Sequence, residues 1–375
     1  MLTPRNVVHL TTVHHPYDPR IYHKECLSLH RAGFDVTLIA PDTNASSTNK
    51  SIKHVSIKKH KSRLVRMFFG TFNAYRKAKK LNADVYHLHD PELIPVGWLL
   101  KKKNNIVIYD IHEDYVTSMM QKEYVNKNLR KMFSLMYKII EKLFIKNFDL
   151  CLAEKYYKDL YPKGYCILNY PIINQRLLKI NHNKLQSSKK LLYTGNVTIE
   201  RGALIHAMLP LIDDSISVHF IGKCSKNLAE EMMNTVGEKS DSITIEGINR
   251  FVEKDKIDST YVNEDWLAGL AIFPPTEHYM KKELTKFFEY MNVGLPIICS
   301  DFPVWKNFVE TYKCGIAVNP HNHDEIGQAI EYLSNHPDEA RQMGENGKEA
   351  IKKKLNWNEE EKKLINWYNQ LLSRV

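Results

Sequence analysis

Short apolar runs alternate with stretches whose apolar residues recur at helical spacing along almost the whole chain. The first series of runs predicts strands at Asn6–Val13, Asp35–Ala40, Asp84–Leu88 and Ile106–Asp110. A second series predicts Lys190–Thr194, Ser217–Ile221, Ser242–Glu246, Gly269–Phe273, Pro296–Ser300 and Gly315–Val318. Helices are predicted at Arg20–Ala32, Val65–Leu81, Leu129–Lys146, Ala203–Leu211, Lys286–Val293, His323–Ser334 and Glu359–Leu372. Strand–helix alternation implies parallel sheets covered by helices, and two series imply two doubly wound domains. The polar stretch Asn181–Lys189 reads as the linker, with a hinge beginning near Pro171. The last helix carries Leu364, Trp367, Tyr368 and Leu371 and needs a surface to pack on.

Composition removes several classes. At 43% hydrophobic and 26% charged, the chain is not predominantly disordered. Its six Cys form no CxxC pair, which argues for reduced thiols rather than a disulfide scaffold or a zinc ribbon. The opening residues are too polar for a signal peptide. No apolar run reaches the 18 or more residues of a spanning helix. A cytosolic protein is the expectation.

Charge is unevenly placed. Residues 1–150 hold 25 Lys and Arg against 13 Asp and Glu, a net of +12, while the remainder holds 28 against 30, a net of −2. Between Asp42 and Asp84 stand eleven basic residues and no acidic one. A second basic segment, Gln121 to Lys146, mixes Lys127, Arg130, Lys131 and Lys138 with Met132, Leu135, Met136, Ile139, Ile140 and Leu143 at helical spacing. Such a helix either buries its apolar side in the core or meets an anionic surface. The two basic segments together favour the anionic surface. No zinc finger, RNP motif or clear helix-turn-helix supports a nucleic-acid partner.

Ligands of doubly wound sheets bind beyond the carboxyl ends of the strands, so those ends hold the candidate chemistry. The first strand leads into His14-His15-Pro16-Tyr17-Asp18-Pro19-Arg20, a polar substrate loop or a helix cap. The third leads into His87-Leu88-His89-Asp90-Pro91-Glu92, where Asp90 suits an N-cap and His89 is free to point into a cleft. The fourth leads into Tyr109-Asp110-Ile111-His112-Glu113-Asp114-Tyr115, whose His112 can bond a ligand hydroxyl or move a proton. In the second series, Thr194-Gly195-Asn196 and then Arg201-Gly202-Ala203 offer backbone N–H groups and a guanidinium to a phosphate. Thr285 to Val293 opens a helix with Lys286 in its first turn, a placement that suits only an external anion. Glu289, one turn on, can accept bonds from two vicinal hydroxyls such as those of a ribose.

These segments (HxTxxHxPxDxRI from His9 to Ile21, DVYHLHDPEL, YDIHEDY, YTGN…RG, TKFFEYMNVGLPIICSDFPVW and CGIAVNP) resemble bacterial family-4 glycosyltransferases of the GT-B fold, of capsule, exopolysaccharide and O-antigen type. The resemblance spans residues 9 to 320. It implies an α/β protein of two Rossmann-like doubly wound domains facing across a cleft. An acceptor domain would occupy 1–172, a nucleotide-sugar donor domain 173–356, and a C-terminal helix, 357–375, would cross back onto the first. It further implies retaining transfer from a nucleotide-sugar, UDP-sugar favoured over GDP-sugar, to a lipid-linked or oligosaccharide acceptor in surface polysaccharide synthesis. No cofactor and no metal are expected, in keeping with the lack of any Asp-x-Asp triplet. The enzyme would sit peripherally on the inner face of the cell membrane.

By the same resemblance, His112 contacts the donor sugar, Arg201 the diphosphate, and Glu289, the second Glu of a Glu-x7-Glu motif, the ribose. Gly195, Asn196, Glu283, Thr285 and Lys286 complete the donor set, and His14, Asp18, Arg20 and His89 face the acceptor. The chain departs from the pattern where Lys281 stands for the first Glu and Asn196 for an Arg, and it lacks a Gly-rich loop after the first strand. Glu283 or Glu277 are the replacement carboxylates; Lys281, Lys282 or Lys286 are the replacement cations. The alternatives are a catalytically inactive nucleotide-sugar-binding protein or a GT-B nucleotide-sugar epimerase.

Overall fold

The computed structural model describes residues 5–42, 51–112, 115, 126–179 and 189–375. Most of the sequence-predicted linker, residues 181–188, lies outside these, as do Glu113 and Asp114 and residues 121–125, the start of the second basic segment. The chain forms two compact units. One is made of Met1–Asn169 with Trp357–Val375, the other of Tyr170–Asn356.

The first unit is built on seven strands: β1 (Asn6–Leu10), β2 (Asp35–Pro41), β3 (Lys53–Ile57), β4 (Val85–Leu88), β5 (Ile106–Ile111), β6 (Asp149–Leu152) and β7 (Tyr165–Cys166). All pair in parallel, in the order β3-β2-β1-β4-β5-β6-β7, so the order reverses between β1 and β4. Strands buried on both faces read as unbroken apolar runs, and β5, Ile-Val-Ile-Tyr-Asp-Ile, is buried throughout. Side chains alternate between faces. Val8, Leu10, Tyr86, Leu88, Val107 and Tyr109 line one core with helices Thr71–Leu81 and Ile94–Leu100. Val7, Val85, Ile106, Ile108 and Cys151 line the other.

That second core is closed by the chain's last helix, Trp357–Leu372. Leu364, Tyr368 and Leu371 have no exposed surface. Burying three such side chains is worth about 1.5–3 kcal/mol each. Polar contacts fix the register: Trp357 Nε1 donates to Ser28 Oγ at 2.9 Å, and Glu360 accepts from the Leu168 backbone N–H at 2.8 Å.

The second unit holds β8 (Lys190–Thr194), β9 (Ser217–Cys224), β10 (Ile243–Ile248), β11 (Ala268–Ala271), β12 (Ile297–Ser300) and β13 (Gly315–Val318). They are parallel, in the order β10-β9-β8-β11-β12-β13, and the reversal falls between β8 and β11. Helix Thr285–Val293 lies on this sheet. It places Tyr290 where a Cβ on Gly269 would sit 2.5 Å from the ring, so only glycine fits there. Gly294, at φ +76°, ends that helix in the left-handed conformation and releases Leu295 into β12.

Two sequence expectations change here. The helix read as Leu129–Lys146 is Lys127–Phe144; Tyr137 and Phe144 pack against the core, whereas Leu129, Met132, Leu135, Met136, Ile139 and Leu143 are exposed. Strands β3, β6 and β7 are additional to the predicted set.

Candidate functional site

Each unit gathers its polar side chains at the carboxyl ends of the strands beside its own order reversal. In the first unit, Asp90 ties β1 to β4. It accepts from Thr11 Oγ1 at 2.9 Å, from the Thr12 N–H at 2.6 Å and from the Val13 N–H at 3.3 Å. It is therefore a loop anchor; it makes no capping bond to the turn Pro91–Leu93. Glu92, beside it, accepts from Thr12 Oγ1 and doubly from Arg66.

His14, half-buried, sits 3.3 Å from Asp18 and 3.5 Å from Asp90, and its ring stacks on His112 at 5.5 Å. Asp18 caps the first helix, a wide-turned segment Pro19–Cys26, by accepting from the N–H groups of Arg20 and Ile21. Burial would raise the Asp18 carboxyl, but bonds from His14 and from this backbone outweigh it and hold it below the usual carboxylate range. The loop is thus both cap and polar surface.

Beneath it lies a buried network. His112 Nε2 is 3.0 Å from Asp110 and 3.1 Å from His89 Nδ1. The Tyr157 hydroxyl donates to the His112 carbonyl at 3.0 Å. Asp110 receives a two-pronged contact from Arg20, 2.9 Å on each oxygen. Burial opposes the charge of Asp110; Arg20 and His112 overcome that and hold it well below its ordinary range. Burial lowers His89 to about 4 despite Asp110, and with Asp110 it pushes Glu25 well above the carboxylate range.

Two acceptor assignments are corrected by this placement. Arg20 is 3% exposed with its guanidinium on Asp110, and His89 is 1% exposed between His9 and His112. Neither presents its polar atoms to a surface. His14 and Asp18 are accessible, and His112 partly so.

In the second unit, β8 runs into Gly195, at φ +98°, and then a tight turn ending at Gly202. Gly202 combines φ +76° with a backbone approach in which a Cβ would stand 2.0 Å from the Ile272 carbonyl oxygen. The turn delivers Arg201, whose Nε donates to Tyr279 Oη at 2.9 Å. From helix Thr285–Val293 comes Lys286. It is 7% exposed, its Nζ lies 3.4 Å from the centre of the Tyr193 ring and 4.9 Å from that of Phe273, and it has no hydrogen-bond partner. Burial, and then Arg201, push the amine well below its ordinary range.

Glu289 follows on the same helix, half-buried, 3.8 Å from Lys254 Nζ. Burial raises its carboxyl, with Lys254 and Lys286 opposing. Gly195, Arg201, Lys286 and Glu289 are thus brought into one neighbourhood at the ends of β8 and β11. Thr285 is exposed at the helix start, Asn196 is exposed in the turn, and Glu283 is half-buried one residue before Leu284 caps the helix. Lys281 is exposed and pairs with Glu277 at 3.8 Å. Two cations beside a helix N-terminus form an anion site, and a carboxylate one turn on suits a diol.

Sequence reasoning missed the aromatic walls, Tyr193, Phe273 and Tyr279, and the buried partners His9, Glu25 and His87. The His87–His89 spacing of two, which puts both on one strand face, was the available signal.

The Glycosyltransferase Family 4 model matches residues 20–154, and the model described as Glycosyl transferases group 1 matches residues 251–350. No curated protein sequence matches the chain. Among solved structures, a sucrose-phosphate synthase from Thermosynechococcus elongatus superposes with a TM-score of 0.73 at 16% identity, over 99% of this chain and 100% of that one. A glycosyltransferase from Rickettsia africae gives 0.71 at 14%, over 99% and 100%. HepE from Anabaena, in complex with UDP and glucose, gives 0.69 at 10%, over 98% and 100%. At these identities the likeness is one of fold.

Proposed function

Because the chain is a glycosyltransferase, with a family 4 domain and a group 1 domain on the GT-B fold, we propose that it transfers a sugar with retention from a UDP-sugar to a lipid-linked or oligosaccharide acceptor of bacterial surface polysaccharide. The observation that carries the donor assignment is the unpartnered Lys286 amine beside Arg201, with Glu289 one turn away. The HepE structures in complex with UDP and glucose and with UDP-glucose support the choice of nucleotide.

In this reading, the acceptor hydroxyl oxygen bonds to the anomeric carbon as the bond from that carbon to the diphosphate breaks. The acceptor proton passes to the departing phosphate. Arg201, Lys286 and the N-terminus of helix Thr285–Val293 hold the charge that develops on the diphosphate, so the step needs no metal. Glu289 holds the ribose. His112, fixed by Asp110 through Nε2, keeps Nδ1 for the sugar, and His14 and Asp18 face the acceptor.

The membrane surface belongs to the same proposal. No helix among the described residues is long and apolar enough to cross a membrane. Helix Thr71–Leu81 packs on Ile94–Leu100, and that on Lys127–Phe144. On these helices and the turn before the first stand exposed Phe68, Phe69, Phe72, Trp98, Leu135 and Leu143, and Lys131 and Lys138 are exposed on the same helix as the last two. Exposed apolar side chains together with cations on the same helix suit the interface of an anionic bilayer.

The test is a thermal-shift panel of UDP-, GDP- and dTDP-sugars followed by transfer assays with the ligand that binds. A UDP-sugar should raise the melting temperature most. No shift with any of them, and no donor hydrolysis, would overturn the reading.

A further inference from the structure

The side chains buried beneath β1 and β4 make a second centre. His9 stands opposite His87 in the β1–β4 register, and His89 follows two residues later, so all three imidazoles share a face. Glu25 meets them from the helix Pro19–Cys26. All four residues are 0–1% exposed.

His9 Nδ1 lies 2.8 Å from His89 Nε2, and Glu25 Oε2 lies 3.9 and 3.8 Å from those two atoms. The point equidistant from the corners of a triangle with sides 2.8, 3.8 and 3.9 Å is about 2.1 Å from each, the bond length of a zinc-like cation to imidazole nitrogen or carboxylate oxygen. His87 supplies a fourth ligand atom, and the four lie within 4.8 Å of one another.

Two of the three outward nitrogens have partners of the kind ligating histidines use; that of His9, Nε2, has none. His87 Nδ1 is 2.7 Å from Tyr368 Oη, and His89 Nδ1 is 3.5 Å from Asp110. An imidazole–imidazole hydrogen bond would explain the first pair of atoms and nothing else. It leaves His87 Nε2 and both Glu25 oxygens buried without a hydrogen bond, a costly arrangement in an interior. Arg20 does not fill the place. Its Nε is 3.1 Å from Glu25 Oε1, but its guanidinium is turned onto both oxygens of Asp110, so it leaves the Oε2 side of Glu25, which faces two imidazole nitrogens at 3.8 and 3.9 Å, open to a cation.

We propose that His9, Glu25, His87 and His89 form a buried structural site for one divalent transition cation of the zinc class. Three imidazoles and a carboxylate are the ligands such ions prefer, and a shell closed by four protein atoms leaves no open position for chemistry. The cation joins β1, β4 and the first helix and, through Tyr368, the C-terminal helix. It is separate from the donor assignment, which concerns the other unit.

The experiment takes the full chain purified without chelators and measures its metal by mass spectrometry. It then removes metal by chelation under mild denaturation and refolds the chain with zinc or cobalt. About one zinc per chain is expected, with a melting temperature roughly 5 °C or more above that of the metal-free chain. Cobalt should give the visible absorption of a tetrahedral centre. His87→Gln and Glu25→Gln should lose both signals. Less than about 0.1 zinc per chain after refolding in excess zinc, or a melting temperature indifferent to zinc and chelator, overturns the proposal. So does zinc retained undiminished in the His9→Gln, His87→Gln double variant. Should the variants not fold, the cobalt spectrum of the wild-type chain decides: tetrahedral supports the site, octahedral or absent overturns it.

Discussion

Lys286→Met should make the protein more stable and a worse enzyme. The wild-type amine is buried, bonded to nothing, and faces the Tyr193 ring at 3.4 Å. A desolvated cation–π contact returns about 2 kcal/mol. Leaving a buried ionic group without hydrogen bonds costs more than that, several kcal/mol in effective terms. Methionine keeps the length and apolar stem of lysine and removes the charge, so a net gain on the order of 2 kcal/mol is expected at pH 7, or about 4–8 °C in melting temperature for a domain of this size. The sign follows from the direction of the shift. A lysine whose amine is depressed by folding opposes folding at every pH below its unfolded value, about 10.4. The advantage of the methionine variant should therefore be absent near that value and grow as the pH falls below it. Nucleotide should act the other way. UDP at 100 times its Kd stabilises by about 2.7 kcal/mol, and this increment should shrink in the variant because the amine no longer meets the diphosphate. Scanning fluorimetry of both proteins, with and without UDP, across pH 7 to 10, measures every quantity. A variant less stable than wild type at pH 7, with an undiminished UDP shift, would show Lys286 to be a structural residue and refute the reasoning.

Glu289→Gln should weaken donor binding and cut transfer at least about tenfold, the loss of a charged hydrogen bond worth 1.5–3 kcal/mol; near-normal donor affinity would defeat the assignment. Arg201→Ala should impair UDP more than uridine in calorimetric titrations, and equal losses would point to a damaged turn instead. His112→Ala should lose turnover while keeping nucleotide affinity, which separate binding and transfer assays resolve; surviving turnover would leave it a strand-end residue held by Asp110. Sedimentation should occur with anionic liposomes, not neutral ones. Phe68→Ser with Leu135→Ser should reduce it at any salt, Lys131→Glu with Lys138→Glu mainly at low salt; binding indifferent to all four would remove this face from the membrane.

Much of the fold was legible because strands of a parallel sheet covered on both sides must be apolar at nearly every position, as β5 and β12 are. The strands that escaped are β3, whose Lys-His-Val-Ser-Ile carries polar residues at a sheet edge, the short β6, and the two-residue β7. Helical periodicity located Lys127–Phe144 but does not say which apolar residues meet the core: Tyr137 and Phe144 do, while Met132, Leu135, Met136, Ile139 and Leu143 are exposed. In the site, single residues at strand ends were readable. Their partners were not: Arg20 reaches Asp110 across ninety positions, and His9 reaches His89 across eighty. Only the strand order brings such residues together.

The path of the chain sets an order of events during synthesis. Residues 170–356 are inserted within the first unit, whose core is completed only by Trp357–Leu372. Domains usually fold in order as they emerge from the ribosome. Here the later segment can finish first, while the earlier one waits with the surface meant for Leu364, Tyr368 and Leu371 uncovered. A nascent chain stalled or cut before residue 357 would display that surface permanently, making it a client for chaperones and a target for proteases. Synthesis of the sixteen-residue helix Trp357–Leu372 is thus the event that seals the amino-terminal half, and it ties completion of the first unit to prior synthesis of the whole second one.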